Sequence, residues 1–167
     1  MSTLKRISAS GVPAALQKAE RYRLLNDSSA AESICRDILE VEPDNQQALI
    51  VLLLSITDQF GDDLGDAVRR ARDVLPQLRD EYKRFYYSGI ICERRAKAQR
   101  RQSMPGSGSM AYESLQEAMA WYEKAEAIRP AGNDEAILRW NTCVRVLASD
   151  DHLRPRPVEQ YEPVLED

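Results

Sequence analysis

The sequence predicts an all-α protein, and three observations carry that expectation. Apolar residues recur at helical spacing along nearly the whole chain, and no run alternates with period two. Strong helix formers dominate the same stretches. Prolines fall between those stretches rather than inside them, where each would break the hydrogen-bond ladder. A length of 167 residues suits one domain, and 43% apolar with 30% charged residues is ordinary for a globular chain.

Seven helices follow from the pattern, at about 13–26, 28–41, 45–59, 63–75, 78–101, 110–128 and 133–148. The first loop is only Asp27-Ser28, so the second helix must return antiparallel, with Asp or Ser as its cap. The third helix contains the longest apolar run, Ala48–Leu54, far short of the ~18 residues that suggest a membrane span. Aspartates 62, 63 and 66 open the fourth, where they suit free amides and the helix dipole better than a calcium loop. The expected organisation is a flexible N-terminus over 1–12, a helical body over 13–148 and an acidic tail over 149–167.

Two of the helices end alike. Ala31-x3-Cys35-x2-Ile38-x4-Pro43 and Ala118-x3-Tyr122-x2-Ala125-x4-Pro130 share one spacing. Small residues permit close helix approach, larger ones fill the gap, and Pro stops the helix. A polar turn follows each, Asp44-Asn45 or Gly132-Asn133-Asp134, and then another amphipathic helix. The pattern resembles the tetratricopeptide repeat, a helix–turn–helix unit of 34 residues. Ala19 and Tyr22 fit the small and aromatic places of a first repeat. Leu49, Leu52, Leu53 and Ile56 stand at the places of a second, and Phe85, Ser88, Gly89 and Cys92 at those of a third. The resemblance implies a solenoid of about three repeats over 13–148, with a capping helix that carries Ala136, Arg139, Trp140 and Cys143.

The third repeat breaks the period. Between Cys92 and Ala118 the chain inserts good helix formers around a Pro/Gly/Ser stretch, Ser103–Ser109. Both helices of this repeat are therefore expected to run on as an extended hairpin with a flexible, protease-sensitive tip.

Catalytic motifs are missing. There is no GxxxxGK[ST], GxGxxG, GxSxG or HExxH, and the single histidine, His152, lies in the charged tail. Cys35, Cys92 and Cys143 form no CxxC pair and sit inside apolar helical patterns, so small buried hydrophobes in a reducing, cytoplasmic setting are expected. Met1–Leu16 carries basic residues but no apolar core of a secretion signal. The expectation is a chain that is not an enzyme and takes no cofactor and no metal.

A binding surface is the better candidate. In tetratricopeptide arrays the first helix of each pair lines a concave groove, and extended peptides or partner helices lie there. The resemblance assigns that groove to Ile50, Leu54, Lys83, Tyr86, Ile90, Arg94, Ile137 and Asn141, together with Leu16, Glu20, Arg23, Gln47 and Asp134. An apolar centre with a charged rim suits a partner's apolar anchor, although Ile50 and Leu54 serve equally well as core. The clamp that some relatives use for a partner's C-terminal carboxylate falls on Leu16, Glu20, Val51, Lys83 and Tyr87. Only Lys83 agrees, which speaks against chaperone tails.

Arg94, Arg95, Lys97, Arg100 and Arg101 form the one dense basic cluster, with Arg94, Lys97 and Arg101 on a single face. A solvated helix end, an acidic partner or the chain's own acidic tail, and nucleic acid are three competing readings. Residues 150–167 hold six of the 27 acids and two of the 23 bases, so residues 1–149 hold 21 of each. A neutral body argues against a general nucleic-acid binder. The tail has three prolines and little periodicity, which predicts a disordered or extended segment. Val158, Tyr161, Val164 and Leu165 within it form a possible docking motif for the protein's own groove, in cis or between copies. The expected function is a protein-interaction adaptor. A nucleic-acid or ribonucleoprotein factor and a self-assembling structural subunit are the alternatives.

Overall fold

The computed structural model describes residues 1–158. Seven α-helices make up the body: α1 Val12–Leu24, α2 Ser28–Val41, α3 Gln46–Asp58, α4 Leu64–Val74, α5 Glu81–Arg101, α6 Ser107–Ala127 and α7 Glu135–Ser149. No strand occurs among the described residues. Each helix packs on the next in the chain, and α3 also touches α1 and α5. The helices are thus layered in chain order as antiparallel hairpins.

Local chemistry places the boundaries. Asp27 caps α2 by accepting from the Ala30 amide, Asn45 caps α3 through Ala48, and Asp80 caps α5 through Tyr82. Pro43 and Pro130 follow α2 and α6, while Pro76 ends α4 in a short 3-10 turn, Leu75–Gln77. Asp63 flanks α4 without a side-chain capping bond.

The two alike helix ends are buried alike. Ala31, Cys35 and Ile38 of α2 and Ala118, Tyr122 and Ala125 of α6 are all fully inaccessible. The first set packs between α1 and α3, the second between α5 and α7. One apolar cluster runs from Ala19 of α1 through α3 and α4 to Ile91 and Ala98 of α5. A second joins α5, α6 and α7. Leu54 and Tyr87 pack against both, so the core is continuous along the chain.

The insertion lengthens α5 and α6 to 21 residues each. The connection between them is shorter than the expected Ser103–Ser109 turn: α6 begins at Ser107, after Gly106 at φ 82°. In that left-handed region any Cβ is strained. The hairpin does not stand clear of the body along its length. Ala96, Ala98 and Gln99 are buried, with Ala98 in the same apolar cluster as Phe60 of the α3–α4 loop. On the other side the segment after α7 folds back onto it. Leu153 is 6% exposed in the α5–α7 cluster, Arg100 pairs with Asp150 at 3.0 Å, and Arg156 pairs with Glu113 at 3.2 Å. A Cβ on Gly108 would collide with the His152 carbonyl, so this approach requires glycine.

The termini therefore differ in part from the expected organisation. Ile7, within the N-terminal stretch, packs beside Val12, Ile38 and Ala48. The stretch 150–158 is non-helical apart from a turn, as its prolines imply, yet is anchored by Leu153, while Val158 is exposed. Tyr161, Val164 and Leu165 lie outside the described residues.

Gly89 sets the spacing of α5 and α6. A Cβ built there would lie 2.6 Å from Cδ1 and 2.8 Å from Cζ of Tyr122, whose ring is wholly buried. Alanine in mid-helix normally gains roughly 1 kcal/mol over glycine. Here the overlap should outweigh that gain: Gly89→Ala is expected to lower stability by about 1–3 kcal/mol, as overpacked cores do, measured by urea unfolding.

Candidate functional site

The basic cluster divides once α5 is in place. Arg95 turns toward α6, where Nε donates to Ser114 Oγ at 3.0 Å and the guanidinium pairs with Glu117. Arg100 turns to Asp150. Arg94, Lys97 and Arg101 share the third face, as their spacing predicts, and together they line a cavity of about 620 Å³. Its other walls are the α1–α2 turn, with Arg23, Leu24, Asn26 and Ser29, and the end of α3, with Asp58 and Gln59.

Asp58 ties this cavity together. Its carboxylate accepts from Arg23 Nε at 2.6 Å, from Ser28 Oγ at 3.3 Å and from Arg94. One acid on α3 thereby joins α1, α2 and α5. Lys97 and Arg101 make no ion pair among the described residues.

A second depression of about 370 Å³ lies between α5 and α7, with Ala96, Leu115 and Val146 as apolar lining and Glu93, Arg139 and Thr142 beside them. Arg94 and Lys97 border both cavities. A third, of about 480 Å³, adjoins Lys97, Arg100 and Arg101 at the point where Asp150 and Leu153 pass Gly108. Lys97 therefore stands where three depressions meet.

The expected groove residues separate into core and surface. Ile50 and Ile90 are only 6% and 2% exposed and belong to the two apolar clusters, so they offer no surface to a ligand. Spacing puts them on the helix face; the neighbouring helices then cover that face. Leu54 is half-buried and bridges the two clusters. Tyr86 is half-buried in an aromatic group, with ring centroids 5.1 Å from Tyr87 and 6.0 Å from both Tyr82 and Tyr122. Lys83, Ile137 and Asn141 are also half-buried, and of these eight groove residues only Arg94 borders the first two cavities. Asp58, Arg139, Thr142 and Val146 were not indicated by the sequence. Their place depends on helix ends and faces meeting across loops, which leaves no local signal.

Other carboxylates are used between helices in the same way. Glu32 of α2 accepts from Arg36 and from Arg70 of α4 at 2.6 Å each, and from Gln59 at 2.8 Å. Burial works to raise the Glu32 carboxyl, but these hydrogen bonds and the Arg70 charge outweigh it and hold it below the ordinary range. Glu117 behaves likewise: burial opposes ionisation, yet the Arg95 contact lowers its pKa. Glu93 accepts from Tyr122 Oη at 2.6 Å and lies 3.5 Å from Arg139, linking α5, α6 and α7.

All three thiols are buried, and burial pushes each up to about 12. At neutral pH none is a thiolate, the form a nucleophile or metal ligand requires. No three His, Cys, Asp or Glu side chains among the described residues converge as metal ligands. No helix of the described residues is long and apolar enough to cross a membrane.

Two outcomes follow. Depressed carboxyl pKa values stabilise the fold above the unfolded glutamate value of about 4.3, and that contribution is lost as pH falls through the lower folded value. Thermal melts should therefore fall below about pH 4.3, and Glu32→Gln should flatten part of that limb. Iodoacetamide at mildly alkaline pH should leave Cys35, Cys92 and Cys143 unmodified until denaturant is added, read by intact mass. No protein-family model, no curated protein and no solved structure gives a significant match to this chain.

Proposed function

We propose that the chain is a tetratricopeptide-like helical scaffold that works as a non-catalytic protein-interaction adaptor. The observation that carries this reading is the pair of adjacent cavities that share Arg94 and Lys97, one bordered by the α1–α2 turn and the other by α7. A track over two such cavities, bordered by both apolar and charged side chains, suits an extended segment of another protein. Antiparallel helix pairs layered in chain order, the equivalent burial of the two helix signatures, and the contacts of α3 with both α1 and α5 support the repeat assignment.

The surface is not where the repeat resemblance puts it. Of the expected apolar centre, Ile50 and Ile90 are core while Leu54, Tyr86 and Ile137 are half-buried, so the proposed track is displaced toward the outer half of α5. Nucleic acid is the weaker reading. Arg94, Arg95 and Arg100 are engaged by the protein's own carboxylates, which leaves little unpaired charge for a phosphate backbone.

The test is quantitative mass spectrometry of proteins captured from a lysate by wild type, by Lys97→Glu/Thr142→Arg and by Glu123→Lys, an exposed α6 position outside both cavities. Partners retained by wild type and Glu123→Lys should fall at least about tenfold with the double variant, equivalent to roughly 1.4 kcal/mol, while far-UV circular dichroism stays unchanged. Equal capture by all three proteins would remove the adaptor reading.

A further inference from the structure

From the charge of the same track we infer the chemistry of its occupant: an acidic, extended segment of a partner protein that also carries an apolar anchor residue. The inference rests on the adaptor reading and adds the class of sequence that binds.

Charge balance in the larger cavity is the first ground. Arg23, Arg94, Lys97 and Arg101 face it, against Asp27 and Asp58. Asp27 is occupied with capping α2, and Asp58 is held by Arg23, Arg94 and Ser28. The cavity as a whole carries an excess of two positive charges: Arg23 and Arg94 share the one charge of Asp58, and Lys97 and Arg101 have no acidic partner among the described residues. Residues 1–149 hold equal numbers of acids and bases, so this excess is local rather than a share of a general positive field. Two or three carboxylates on a partner would neutralise it.

The second ground is how the protein itself treats the same helix. Carboxylates occupy Arg94, Arg95 and Arg100, and the Arg100 partner, Asp150, caps the C-terminus of α7 beside the third depression. Pairing of α5 cations with carboxylates from other elements is thus a contact the structure already uses three times, next to the unpaired Lys97 and Arg101.

The smaller depression supplies the third ground. Half-buried Val146 borders it together with Lys97, above the core residues Ala96 and Leu115. An aliphatic side chain set beside the acids on the same segment would meet Val146 there while the acids meet Lys97 and Arg101. Single-stranded nucleic acid would instead need exposed stacking aromatics. The only aromatic lining the larger cavity is Phe60, which is 7% exposed, and the smaller has none.

The experiment selects a bead-displayed library of random peptides of about a dozen residues on the full chain, on Lys97→Gln/Arg101→Gln, and on Thr142→Arg, with thermal melts confirming that each variant folds. A labelled single-stranded RNA oligonucleotide is measured in parallel by fluorescence anisotropy. Wild type should enrich peptides that combine Asp or Glu with one aliphatic residue. The best of these should bind the glutamine variant at least about tenfold more weakly, with affinity falling as salt rises. Selection of neutral or basic peptides that Thr142→Arg abolishes would overturn the acidic assignment and leave the adaptor reading standing. Acidic enrichment undiminished in the glutamine variant, or RNA bound more tightly than the best peptide, would also overturn it. Failure to select any peptide would overturn both.

Discussion

The contact between Gly89 and the Tyr122 ring governs the rest of the molecule. With no side chain at position 89, α5 approaches α6 closely enough for the ring to fill the space a Cβ would take. The Tyr122 hydroxyl then reaches Glu93, four residues further along α5, and Glu93 in turn lies near Arg139 of α7. Beyond this point the two helices run on together. Arg95 meets Glu117, and Gln99 accepts a hydrogen bond from buried Ser114. The outer half of α5, which carries the basic residues, is backed by α6 along its length.

Electrostatics in this protein is mostly internal. Glu32, Asp58, Glu93 and Glu117 each accept hydrogen bonds or ion pairs from neighbouring helices, across interfaces that apolar packing already holds together. Partly buried carboxylates in this position contribute orientation as well as stability, since a guanidinium fork fixes the angle of approach. Lys97 and Arg101, where the α1–α2 turn, α3 and α5 meet, stay outside this pairing among the described residues.

Much of the fold was legible in the sequence. Helical periodicity, caps at Asp27 and Asn45, and stops at Pro43 and Pro130 are local signals, and all seven helices occur where they are expected to within a few residues. The α5–α6 turn was less legible: Ser107–Ser109 reads as loop by composition but starts α6, because the reversal is completed by Gly106, with Ser103 also at positive φ. The anchoring of Leu153 was hidden as well, since nothing within a proline-containing segment reports a glycine at position 108 that leaves room for it.

Periodicity by itself determined that the chain is helical, how its helices alternate, and that Arg94, Lys97 and Arg101 share one face, because each of these depends on residues within a few turns of one another. Tertiary packing alone decided which faces remain open. Ile50 and Ile90 became core, Tyr86 joined an aromatic group, and Asp58 gathered Arg23 and Arg94 from 35 and 36 residues away. Accessibility is a property of what a neighbouring helix covers, and side chains so distant in sequence carry no short-range pattern that announces their meeting.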